Sequence, residues 1–298
     1  MSLYSQIRAN KQKSVLIVAG FIAFVIAFGA VLGIAAWDDW IIGTIVAALI
    51  AAVYIPLMLA SSTRVIMAMN GAREIKSEDD NPFLWNTVES LSIAARVPMP
   101  RIFVIESAQP NAFAAGLSPK SAAVAATTGL LERLSREEVE AVMAHEMAHI
   151  RNHDVRLATI AIALVAVVAV LGDIALRSQI YGGNRRNRDN RNNHLVLIMV
   201  LLAILGPIVA TLVQLALSRN REYLADADGA EICRNPGALA RALEKIAGID
   251  EPMEHVSNAS ASLYFSDPLK KKRSRGSLFA THPPTEKRIE RLKAMLGG

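Results

Sequence analysis

The chain alternates between stretches that carry no charge and stretches rich in it. No residue from Ser14 to Trp37 is charged, and none from Trp40 to Thr63. At about 1.5 Å per residue, each run can cross a hydrocarbon core of about 30 Å. Two more runs follow, the marginal LATIAIALVAVVAVLG (157–172) and the longer LVLIMVLLAILGPIVATLVQLAL (195–217). The pattern predicts four hydrophobic helices in two hairpins. It divides the chain into an N-terminal hairpin (1–63), a first polar part (64–154), a second hairpin (155–218) and a second polar part (219–298). The first run is too long for a signal-peptide core and lacks a small-residue cleavage site before WDDW, so a retained helix is predicted.

The polar parts read as folded protein. A helical pattern opens at Asn81-Pro82, RIFVIES (101–107) predicts a strand, and SAAVAATTG (121–129) predicts a second one with little side-chain bulk. Ser135 with Glu138 three residues later forms a capping box, which predicts a helix from there through His149. After Ser218 the pattern predicts two helices with Asn235-Pro236-Gly237 between them, and a last helix after KKKRSRG (270–276).

Composition adds a membrane reading. Hydrophobic residues make up 52% of the chain and the mean hydropathy is +0.31. Cys233 is the single cysteine, so no internal disulfide can form. The net charge of +5 fits anionic lipid headgroups beside apolar helices. No zinc-finger, RNA-binding or helix-turn-helix signature is present, and no nucleic-acid partner is expected. Arg8, Lys11 and Lys13 precede the first run and Arg64, Arg73 and Lys76 follow the second, while Asp38 and Asp39 lie between. The positive-inside rule places both ends of this hairpin in the cytoplasm. The loop 177–193 carries five arginines and one acid, which disfavours an outside position. The second hairpin therefore either crosses fully, as orientation by the first helix predicts, or enters only in part.

The chemistry centres on AVMAHEMAHIRNHD (141–154). His145 and His149 lie four apart, on one face of a helix, where two imidazoles can converge on one Zn²⁺. Glu146 sits one position round and can reach a water on such an ion. Alone, the pattern also occurs on ordinary solvated helices. His153 lies eight residues beyond His145, about 12 Å along the axis, too far to share the ion. It is expected at the helix end, where a histidine suits the dipole. A third ligand should be a carboxylate, and Glu222 in NREYLADADGA is the best candidate. Asp226, four residues on, can accept a hydrogen bond from a ligand histidine, whereas Asp228 is off that face.

These residues carry a resemblance. HEMAH (145–149), REYLADADGA (221–230), PNAFAAG (110–116), NPGALARALEKI (235–246) and THPPTEKRIERL (281–292) occur between and after two hydrophobic hairpins. In this the chain resembles the HtpX-type membrane zinc metalloproteases, relatives of the CAAX prenyl proteases in the gluzincin group. The resemblance implies a zincin-type α+β catalytic domain with a small sheet, set on a mainly α membrane protein. It implies one zinc ion held by His145, His149 and Glu222, with Glu146 as general base. It implies that Asn111 lies near the substrate cleft and that a strand within 121–127 pairs with substrate backbone. It also implies that His282 and Arg288 lie near the site and stabilise the transition state. On their own residues, His282 reads as a turn residue and Arg288 as an exposed helix charge. The implied activity is endoproteolysis of misfolded or damaged membrane proteins at the cytoplasmic face of the inner membrane. The alternatives are a CAAX-type protease acting near lipidated C-termini and a non-catalytic zinc-binding scaffold. The intact Glu146 argues against the scaffold.

Overall fold

The computed structural model describes residues 3–37, 39–165, 219–249, 253, 256, 260–268 and 283–296. The fourth apolar run, the end of the third (166–172), the loop 177–193, KKKRSRG and His282 lie outside the described residues. The described chain is mainly helical, with one small mixed sheet. It forms two units. One comprises 1–11, 62–159 and 214–298, the other 12–61 and 160–213.

Helices α1 (Leu3–Trp37) and α2 (Trp40–Met69) follow the two charge-free runs. Each contains a stretch long and apolar enough to cross a membrane, Arg8–Val31 and Trp40–Met69. Asp39 joins them by accepting hydrogen bonds at Oδ1 from the backbone N–H of Ile41 and Ile42. The two helices approach at glycines, and a Cβ on Gly33 would lie 2.6 Å from the Cα of Gly43. Outward positions such as Leu16, Leu49 and Val53 are exposed and apolar, as lipid-facing residues are.

The sheet has strands β1 (Ala72–Ile75), β2 (Arg101–Ile105), β3 (Ala112–Ala115) and β4 (Ala123–Thr127), in the order β1-β2-β4-β3. β2 and β4 run parallel, and the outer pairs are antiparallel. This order corrects one expectation. The strand within 121–127 cannot take an added substrate strand, because β4 is paired on both sides. The outer strand on that side is β3.

Helix α3 (Pro82–Ala95) starts as expected. The Asn81 side chain accepts from Leu84 N–H, and Pro82 fills the first turn, where no donor is needed. Helix α4 (Thr128–Arg133) leads into α5 (Arg136–Arg151), whose capping box has the two halves expected of Ser135 and Glu138. Glu138 is buried, and Lys245 reaches it at 2.7 Å. The chain turns at Asn152 and His153 and is helical again over 154–165. Helices α6 (Arg219–Cys233), α7 (Pro236–Ala247) and α8 (Thr285–Ala294) complete the polar part. Asn235 caps α7, so Pro236 and Gly237 belong to that helix rather than to a linker. Helix α5 is the centre of this packing, against α3, α6, α7 and β3. Val139, Val142, Met143 and Met147 are fully buried there.

Candidate metal centre

The local sequence explains why α5 can carry polar groups inward. Its apolar residues bury the helix on three sides, and His145 and Glu146 are each 1% exposed among them. Their cost of burial has to be met by specific partners.

Facing α5, helix α6 brings Glu222 to the histidines. His145 Nε2 lies 3.1 Å from His149 Nε2 and 4.0 Å from Glu222 Oε2, and His149 Nε2 lies 3.5 Å from Glu222 Oε1. Three ligand atoms of these residues fall within 4.8 Å of one another, so the group could hold a metal ion. Tetrahedral ligands at zinc–nitrogen bond lengths stand about 3.3 Å apart, close to the spacings seen. The donor set of two imidazoles and a carboxylate also suits that ion.

Each histidine is held from behind. His145 Nδ1 lies 3.0 Å from Asp226 Oδ1, and His149 Nδ1 lies 3.1 Å from Asp154 Oδ2. With each Nδ1 turned to a carboxylate, Nε2 is the atom of each ring that would bind a metal once deprotonated. Asp226 is in turn gripped by Arg288, with Nε donating to Oδ2 at 2.8 Å and Nη2 to Oδ1 at 2.7 Å. Arg288 is 2% exposed, so it is not the surface helix charge its sequence suggests. Its Nη1 donates to Phe265 O at 3.2 Å and lies 3.8 Å from Glu222 Oε2.

The electrostatics divide the site. Burial favours the neutral form of Asp226, but the charge and hydrogen bonds of Arg288 outweigh it and bring the carboxyl down to about 2. Burial lowers His145 to about 4. It works the same way on His149, where Asp154 and Glu222 overcome it and raise the imidazole well above 6.5. Burial also lifts the Glu146 carboxyl to about 7, against the pull of the His149 charge. Neither oxygen of Glu146 has a well-formed hydrogen bond among the described residues, and the Ala114 backbone exerts only a weak pull. A buried carboxylate with unmet acceptors beside three convergent ligand atoms suits a base that works on a water held there.

The other candidate residues are placed differently. His153 follows α5 with φ 58°, and burial with nearby Lys11 and Arg156 lowers its pKa. It stands at the C-terminal end of α5, as expected, but its lowered pKa works against the charged form that the dipole would favour. Asp228 turns away to Asn152 Nδ2 at 2.6 Å and Arg151 at 3.1 Å. Asn111 is buried and holds Ser266: its Nδ2 donates to Ser266 O at 2.8 Å, and its Oδ1 accepts from Ser266 N–H at 3.1 Å.

Ser266 ends a segment of the chain that lies along the outer edge of β3. Tyr264 pairs antiparallel with Phe113, and Phe265 N–H donates to Ala112 O at 2.8 Å. Ser260 Oγ and Tyr264 OH both donate to Asn70 Oδ1. The Phe265 ring stands edge-on to His145, 5.0 Å between centroids, with the Arg288 guanidinium above it. Sequence pattern does not single out Asp154 or Phe265 for the site. The one signal for Asp154 is an acid next to the excluded His153, within reach of the ligand helix. Nothing local marks Phe265.

Residues 78–296 match peptidase family M48. The chain is 50% identical over 303 residues to a protein named Protease HtpX homolog from Listeria monocytogenes serotype 4a, covering 98% of this chain and all of the relative. Proteins of the same name from Levilactobacillus brevis and Ligilactobacillus salivarius are 48% and 49% identical over similar spans. Among solved structures, that of S. mikatae Ste24p is similar at a TM-score of 0.48 and 19% identity, over 97% of this chain and 66% of that one.

Proposed function

The chain belongs to peptidase family M48 and is a membrane-associated metalloprotease, and on that premise we propose that it is a zinc endopeptidase acting on misfolded or damaged membrane proteins. The observation that carries this is the convergence of His145, His149 and Glu222 beside the buried carboxylate of Glu146. His145 and His149 through Nε2, and Glu222 through its carboxylate, would hold the ion. Bound there, zinc supplies a Lewis acid that lowers the pKa of water to about 7 and polarises a peptide carbonyl.

The remaining work belongs to the chain. Glu146 accepts the proton of the attacking water at a carboxylate oxygen and returns it to the leaving amine nitrogen. Its raised pKa suits both halves of that transfer. Asp226 and Asp154 keep the Nδ1 protons in place, so the two imidazoles present Nε2 throughout. Arg288 fixes Asp226 and offers Nη1 to a carbonyl at the edge of β3. The resemblance to HtpX-type enzymes would add His282 to the substrate side, and Asn111 would act there through Ser266, which its amide holds.

The two candidate spans, with the apolar runs 157–172 and 195–217, would make a four-helix inner-membrane protein. The lysine and arginine bias then turns the site to the cytoplasm. Such a location gives access to the cytoplasmic segments of damaged membrane proteins. The test is casein cleavage in detergent by wild type and Glu146→Gln, each with and without a zinc chelator. The variant should keep its zinc and lose cleavage, and the chelator should silence the wild type. A Glu146→Gln protein that cuts at the wild-type rate overturns the mechanism.

A further inference from the structure

One buried polar chain runs away from the metal centre and ends on the first helix of the protein. Asp154 presents Oδ2 to His149 Nδ1 at 3.1 Å. Its other oxygen, Oδ1, accepts from Asn10 Nδ2 at 2.8 Å. Asn10 Nδ2 also lies 3.4 Å from the backbone oxygen of Asn152, in the turn that leads into Asp154. Asn10 and Asp154 are 5% and 6% exposed, so the contact is inside the protein.

The backbone is shaped for this contact. In an unbroken helix, a residue five positions after His149 would point about 140° away from it. Here α5 stops at Arg151, and His153 takes the left-handed conformation at φ 58°. That conformation is disfavoured for a residue with a Cβ. It folds Asp154 back onto the imidazole. Arg221 of α6 faces the same carboxylate and adds a favourable charge. Asn10 supplies what charge alone does not, a directed donor that fixes which way the carboxylate plane turns.

We propose that Asn10 and Asp154 are positioning residues for the metal ligand His149, and that the N-terminal helix is thereby part of the metal centre. The proposal rests on the reading of His149 as a ligand. Outer partners of metal-bound histidines typically carry 10–100-fold in metal affinity. A double-mutant cycle separates this role from simple packing. Residues acting through one another are non-additive, whereas independent packing losses add.

The experiment measures zinc affinity of the full-length protein in detergent by competition with a chromophoric chelator. The proteins are wild type, Asn10→Ala, Asp154→Ala and the double variant. The metal-free unfolding temperature of each is recorded alongside. Each single variant should bind zinc about 10–100-fold more weakly, and the double variant no more weakly than Asp154→Ala. Asp154→Asn, which keeps the shape and removes the charge, covers the case where Asp154→Ala does not fold. It should also bind more weakly. A folded Asn10→Ala with wild-type affinity overturns the relay and leaves the metal reading intact, as does strict additivity in the cycle. A wild-type protein that binds no zinc overturns both.

Discussion

Gly229 of α6 faces the backbone of His145 so closely that a Cβ there would lie 2.9 Å from both its N and its Cα. The contact sets how near α6 can come to α5, and so how near Glu222 and Asp226 come to the histidines. Gly229→Ala must push the helices apart. Overpacking of this kind costs about 1–3 kcal/mol. The expected result is a lower unfolding temperature together with weaker zinc binding. A variant that matches the wild type in both would show that the close approach is not needed.

Glu146 makes the metal-free protein sensitive to pH. Its carboxyl is raised from 4.5 to about 7, so between those values the folded chain keeps a proton that the unfolded chain has released. Its contribution to stability therefore falls as pH rises through that window and is constant above it. The size is about 3 kcal/mol. His145, lowered from 6.5 to about 4, acts in the opposite sense, since its penalty is relieved as pH rises from about 4 to 6.5. The two partly cancel in the wild type. Unfolding of metal-free Glu146→Gln across pH 4.5–7 should therefore show the smaller fall, or the larger rise. Parallel curves for the two proteins would remove Glu146 from the account.

Zinc should displace a proton from His149. Against burial, Asp154 and Glu222 raise this imidazole well above 6.5, whereas burial lowers His145 to about 4. A ligand must be deprotonated to bind, so affinity should drop as pH falls from 8 to 6. Calorimetry in buffers of different ionisation heat should show net proton release near pH 7. A count near zero would mean that His149 is neutral before the metal arrives.

His153 should be dispensable for the metal. It sits at φ 58°, a conformation open to glycine, and none of its atoms is among the convergent ligands. His153→Gly relieves about 1 kcal/mol of backbone strain and gives back a similar amount through the looser unfolded chain. Zinc content and unfolding temperature should stay near wild type. Loss of the metal would restore His153 to the site.

The sequence exposes those parts of the site that follow from helical periodicity. The Ser135 cap, the His145–His149 face and the Glu222–Asp226 spacing are local, and each has its place on α5 or α6. Strands β1 and β3 escape such a reading. They have four residues each, and AFAA has no alternation to read because all four positions are buried. The inner place of β4 depends on which strands pair with it, which no local pattern encodes. Asp154 is hidden because a straight helix would turn it away from His149. Arg288 looks exposed in its own helix, and only its pairing with Asp226 makes its burial tolerable.

The segment 264–266 gives β3 a resident neighbour. Any foreign peptide that adds to this edge beside Ala112 and Phe113 meets a tethered competitor that has the same main-chain hydrogen bonds to offer. Tethering keeps that competitor at an effective concentration in the millimolar range or above. Main-chain pairing alone is then no advantage to the newcomer, which must exceed the resident through its side chains or its length. A peptide that adds at this edge therefore has to displace residues 264–266 from Ala112 and Phe113 before it can lie beside Glu146.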